Sequence, residues 1–234
     1  MGAILKREFG SFFNSAIAYV VMAVFFFFSS LFFYSYCLAY DSANLSYVYG
    51  SMFVIILFLT PIITMKSFSE EKRQRTDQAL LTSPTGLTKI VIGKFLGAFF
   101  LYAICCSIFI VFALIISFFT APDWSVIICT TLGILLLGGA MIAIDIFVSS
   151  LTESQIISAV AGLAIGLIIF FMDNIINYIP FDWLKEIFES INFVNYYSSF
   201  TYGILRLSDL VFFMSVIGLF IFLTVRVFEK RRWS

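Results

Sequence analysis

Histidine is absent from the 234 residues. That removes the commonest general base and the commonest metal ligand. Charge is scarce: 12% of the chain, against about 25% in an average soluble domain. The 14 basic and 14 acidic residues cancel, so the balance points to no nucleic acid or other charged partner. The four cysteines, Cys37, Cys105, Cys106 and Cys129, lie in apolar runs without C-x-x-C spacing. Buried reduced thiols are expected there, not a metal or redox site. No G-x-x-x-x-G-K-[ST] occurs, so the chain holds no nucleotide in a P-loop of its own. No G-x-S-x-G elbow occurs either, and a serine would have no histidine to activate it. The spacing of the carboxylates is not that of a calcium loop. The chain is expected to be no enzyme by itself, and to carry no cofactor.

What the chain has in excess is apolar length. At 62% hydrophobic it reads as an all-α integral membrane protein. A helix needs about 20 apolar residues to cross about 30 Å of hydrocarbon. Six stretches qualify: residues 16–38, 48–65, 88–119, 126–151, 156–178 and 210–228. The first is too long for the h-region of a signal peptide, normally about 7–15 residues, and is expected to be a retained span. Ahead of it, residues 1–15 place Ile4, Leu5, Phe9, Phe12 and Phe13 at helical spacing among Lys6, Arg7, Ser11 and Asn14. That pattern suits an amphipathic helix lying in the interface, or an extension of the first span.

An even span count puts both termini on one side. Lys6, Arg7, Lys66, Lys72, Arg73, Arg75, Lys89, Lys94, Arg226, Lys230, Arg231 and Arg232 then share that side. Only Lys185 and Arg206 fall opposite. The positive-inside rule places the termini in the cytoplasm, in a multi-pass protein of a bacterial inner membrane. The outer segment 180–209 sets Trp183, Leu184, Ile187, Phe188 and Ile191 against Asp182, Lys185, Glu186 and Glu189. An amphipathic helix is expected there, followed by an aromatic stretch, 193–200, able to dip into the membrane and return. Gly93 and Gly97, Gly162 and Gly166, and the cluster Gly138-Gly139-Ala140 mark close helix contacts.

Two features carry function. Asp145 lies inside the fourth span, where an acid costs about 2.5–3.5 kcal/mol on insertion scales. It either lines a pathway or pairs across an interface, or it snorkels to the inner surface or sits protonated against a hydroxyl. The second feature is a polar island between the second and third spans, within residues 67–83. Ser67 and Glu70 fit a capping box, and Glu70 and Glu71 suit the positive end of a helix dipole. Lys72, Arg73 and Arg75 follow, and Phe68, Ala79, Leu80 and Leu81 add apolar ends. The helix is expected to stop by Leu81. It either rests on anionic headgroups or docks a cytoplasmic partner.

At this island the chain resembles the permeases of ABC-2 type transporters. The residues that carry the resemblance are Pro61-Ile62-Ile63-Thr64-Met65-Lys66-Ser67-Phe68, Glu70-Glu71-Lys72, Thr76, Leu80-Leu81 and Pro84. Ile92-Gly93-Lys94-Phe95-Leu96-Gly97 and Ser149-Ser150-Leu151-Thr152-Glu153-Ser154-Gln155 are also similar. The family glycine before the threonine is Arg75 here, and the acid after it is Gln78, with Asp77 adjacent. The subgroup most resembled is the gliding-motility permease, with the permease of nitrous-oxide-reductase maturation nearby.

The resemblance implies a type V exporter-like domain of six transmembrane helices. Its partners would be two ABC ATPase subunits, which bind ATP and Mg, a second identical or related permease, and the lipid bilayer. The island would be the coupling helix, with Ser67, Phe68, Glu70, Glu71, Lys72, Arg73, Arg75, Thr76, Asp77, Leu80, Leu81 and Pro84 as docking residues, and residues 1–15 the connecting helix. The complex would export or extract a substrate. A membrane scaffold or anchor for a motility or secretion complex that moves no substrate is the alternative.

Overall fold

The computed structural model describes residues 9–40, 42, 44–75, 86–119, 121–177 and 180–233, and among them there is no strand. Helix α1 spans Ala16–Phe33 and runs on as a π-helical turn, Tyr34–Leu38. Ser15 starts it, with its hydroxyl accepting from the Ile17 amide at 3.4 Å. Residues 9–13 form a helical turn before this break. Residues 1–8, with Lys6 and Arg7, lie outside the described set.

Helix α2 is Ser46–Thr64 and contains Pro61; a short helix α3, Ser69–Arg73, follows it closely. Helices α4, Leu87–Cys106, and α5, Ile108–Ser117, form one apolar rod interrupted at Ser107. Helix α6 is Trp124–Leu151, and α7, Gln155–Phe170, follows after three residues. Helices α8 (Met172–Asn177), α9 (Asp182–Ser190) and α10 (Phe193–Thr201) lead to the final helix α11, Leu207–Trp233.

Five helical rods among the described residues are long and apolar enough to cross a membrane: Ala16–Leu38, Ser46–Arg73, Leu87–Ser117, Trp124–Leu151 and Leu207–Arg231. The expected fifth of six spans, residues 156–178, is shorter. Its helix α7 has 16 residues, and at about 1.5 Å per residue it covers about 24 Å. The chain turns at Phe171 before α8 begins, and residues 178 and 179 lie outside the described set.

Helix α6 is the axis of the bundle and packs against α2, α4, α7, α10 and α11. Its small residues allow this. A Cβ on Gly138 would stand 2.2 Å from the Tyr102 ring of α4, and one on Gly133 would stand 2.4 Å from the Phe200 Cβ of α10. In lipid, close backbone approach is a main source of helix affinity, because tails are as apolar as side chains. Hydroxyls then clip the helices together. Tyr102 donates to the Ile134 carbonyl at 2.6 Å, Tyr197 donates to the Tyr49 carbonyl at 2.8 Å, and the Tyr49 and Thr131 hydroxyls meet at 2.7 Å.

The aromatic stretch after α9 is thus a helix. Phe193, Tyr197 and Phe200 of α10 are buried against the bundle. Its helical form satisfies its own backbone groups, and the surrounding helices cover it. The four cysteines are free and buried.

Gly138→Ala is expected to lower stability by about 1–3 kcal/mol, because its Cβ has no room. Gly218→Ala, where a Cβ meets nothing within 4 Å, is expected to be neutral or slightly stabilising. Thermal unfolding of the purified protein in detergent compares the two.

Candidate functional site

Where α2 ends, the chain turns through Met65–Phe68 and starts again as α3. A new helix presents amides that have no partner within the helix. Ser67 does not cap them: the cap position falls on Phe68, whose side chain makes no cap bond. The Phe68 and Ser69 amides instead donate to the Ser149 hydroxyl of α6, at 3.1 and 3.2 Å. That hydroxyl donates in turn to the Met65 carbonyl at 3.5 Å. One donor and two acceptor positions are all a serine hydroxyl has, and all are used. The expected capping box of Ser67 and Glu70 is corrected by this finding. The cap comes from a residue 81 positions away in sequence.

The neighbouring side chains extend the seam. The Lys72 ammonium donates to the Ser150 carbonyl. Glu71 pairs with Lys94 of α4 at 2.9 Å. The Lys94 ammonium also sits 5.0 Å from the centre of the Phe68 ring, which packs against Phe228 of α11 at 4.5 Å. Phe68, Ser69, Lys72 and Lys94 are each at most 5% exposed. Helix α3 is therefore tied to α4, α6 and α11 at once.

The docking residues expected from the sequence divide into two groups. Phe68 and Lys72 are buried, and Ser67 and Glu71 are largely covered, so these four face the bundle rather than a partner. Glu70 is partly exposed, and Arg73, Gln74 and Arg75 are exposed. Helix α3 ends at Arg73, short of the expected Leu81, because Arg75 has φ 56°, a left-handed conformation that terminates helices. The resemblance places a glycine at this position, the residue that takes such a φ at least cost. Thr76, Asp77, Leu80, Leu81 and Pro84 lie outside the described residues. A cavity of about 460 Å³ opens beside α3, between Phe12, Ile17, Ile62, Lys66 and Glu70.

Asp145 lies on α6 one turn before Ser149. It is 2% exposed, so its carboxylate does not snorkel to the helix end. Thr60 of α2 stands beside it, and Gly162 of α7 closes over it. Sequence reading missed the partners Ser149, Ser150, Lys94, Phe228, Thr60 and Gly162 as members of these sites. A serine pair at the end of an apolar run is a visible signal, but nothing local says which amides it serves.

A family model described as ABC-2 family transporter protein matches residues 38–228. The chain belongs to the ABC-2 family. No curated protein matches it. The matched stretch contains every contact of the seam from Met65 to Phe228, and Asp145 with its neighbours. The ABC-2 protein is a multi-pass membrane protein of transporter type, and its charged seam closes one end of the helical bundle. Among the described residues no group of three His, Cys, Asp or Glu side chains stands where it could hold a metal ion.

Ser149→Ala is expected to destabilise the ABC-2 protein by about 1–3 kcal/mol, since two buried amides lose their acceptor. Lys94→Met alone is expected to cost about 3 kcal/mol by removing the ammonium that pairs with Glu71 in its covered site, and Glu71→Met with Lys94→Met to cost less than the two single changes added together. Thermal unfolding of the four combinations, read as a double-mutant cycle, measures the coupling.

Proposed function

We propose that this ABC-2 protein is the permease subunit of an ATP-driven transporter, moving a substrate across the bacterial inner membrane. The supporting observation is the seam itself. A short helix with an exposed basic end is rigidly joined to three of the membrane rods through Phe68, Glu71, Lys72, Lys94, Ser149 and Phe228. A push on its exposed end is passed to α4, α6 and α11 together, because a packed interior is stiff.

Two ABC ATPase subunits supply that push, and they hold the ATP and Mg. They dock on the exposed end, Glu70, Arg73, Gln74 and Arg75, and on the stretch through Thr76, Asp77, Leu80, Leu81 and Pro84. The buried Phe68 and Lys72 and the largely covered Glu71 transmit the movement without touching the ATPase. A second permease completes the complex. In this reading six spans cross the bilayer, with α7 and α8 together forming the fifth, and both termini lie in the cytoplasm beside the basic residues. The pattern from Pro61 to Pro84 supports placing the chain near the gliding-motility permeases.

Arg73→Glu and Leu80→Arg are expected to abolish co-purification of a P-loop ATPase while leaving the fold intact. Pull-down of the tagged permease from its native membranes reads the association. Retention of the ATPase by both variants, or its absence from the wild-type complex, overturns the reading.

A further inference from the structure

Asp145 is used by none of the contacts that join α3 to the bundle. Among the described residues neither carboxylate oxygen meets hydrogen-bond geometry, and the Thr60 hydroxyl is the polar side chain that stands beside them. Its walls are Thr60 and Pro61 of α2 and Gly162 of α7. A Cβ on Gly162 would stand 2.7 Å from Asp145 Oδ1 and 2.8 Å from the Pro61 Cβ. No space remains there for a hydrated ion, and a buried water would need 2–4 polar partners, roughly, to be held.

Among the described residues no cation stands against the acid. Helices α2, α7 and α10 carry no charged residue, and α6 carries only Asp145. On α4, Lys94 is paired with Glu71 and Lys89 is exposed. On α11, Arg226 is paired with Glu229 at 2.7 Å. Lys72 is directed to the Ser150 carbonyl, beyond the next turn of α6. An ionised carboxylate without a partner in such a place is very costly, and a buried group of this kind takes up a proton instead.

We propose that Asp145 is a proton-binding site gated by α7: it holds a proton while Gly162 lies against it and yields the proton to water when α7 draws away. The lid meets α2 through small residues. Helix α7 hangs from α6 by Thr152-Glu153-Ser154, and Ile156, Ile157 and Val160 on its outer face are exposed. Toward α2 it offers Gly162 and Gly166, whose contacts are with Pro61 and Leu57. The contacts of Gly162 and Gly166 with α2 include no side-chain hydrogen bond, because a glycine has none to make. When α7 draws away, water reaches the carboxyl, the O–H bond breaks, the proton passes to water, and the carboxylate left behind is solvated. Return of α7 requires the proton back. Each opening and closing therefore releases and rebinds one proton at this site.

Difference infrared spectroscopy on the full chain in lipid vesicles tests this without any ATPase. Wild type minus Asp145→Asn at neutral pH is expected to show the carbonyl band of a protonated carboxylic acid, and transfer to deuterated buffer to shift that band slowly. Gly162→Ala forces α7 outward and is expected to speed the isotope shift by about tenfold or more, as overpacking of a sealed site would. Absence of the carboxylic band in the wild type overturns the proton site. A wild-type band that exchanges as fast as in Gly162→Ala overturns the gate. If Gly162→Ala does not fold, the band and its exchange in the wild type still decide, because immediate exchange there also overturns the gate.

Discussion

A backbone amide in an apolar surrounding must find a protein acceptor. At the end of α2 the chain leaves helical geometry and re-enters it four residues later, and the restart exposes such amides. One hydroxyl, Ser149, takes two of them and donates to the carbonyl just before them. The charged contacts around it depend on that closure. Helix α3 is held in place, so Glu71 meets Lys94, Lys72 meets the end of α6, and Phe68 meets Phe228. Without the closure, a five-residue helix would have too few bonds of its own to persist.

The second constraint is lateral. Helix α6 approaches its neighbours closely because it carries glycines and alanines where rings and backbones press on it. The same economy of side chains operates between α2 and α7. Gly162 lets α7 come so near to Pro61 that the acid beneath is shut off from water. Close packing and the sealing of Asp145 are one geometric fact seen from two sides. The charged and hydrogen-bonded contacts are concentrated at α3, α4, α6 and α11, whereas α7 meets α2 through a glycine face.

Much of the fold was legible from periodicity and length. Apolar runs long enough to span and the turns between them follow from what lipid and water each tolerate. The pattern from Pro61 to Pro84 pointed to the ABC-2 family, to which the chain belongs. The candidate site was legible only in outline. Ser67 and Glu70 form an acceptable capping box in sequence, yet the amides go to Ser149, which is better placed in space. Phe68, Glu71 and Lys72 are docking residues by resemblance, but three spans converge on them. Arg75 read as an off-pattern side chain. Its positive φ shows that the position matters first for its backbone.

The sequence by itself determined that the chain is helical, apolar and multi-pass, because each of these follows from local composition and spacing. It also determined where the few charges stand along the chain. Only the tertiary structure decided which of those charges are spent inside the bundle and which remain exposed, because that depends on partners 20 to 80 or so residues away, roughly a matter of helix packing and not of propensity. It alone decided the surroundings of Asp145. A sequence can show an acid in an apolar run. Whether the acid meets water, a cation or a glycine face is set by which helices lie against it.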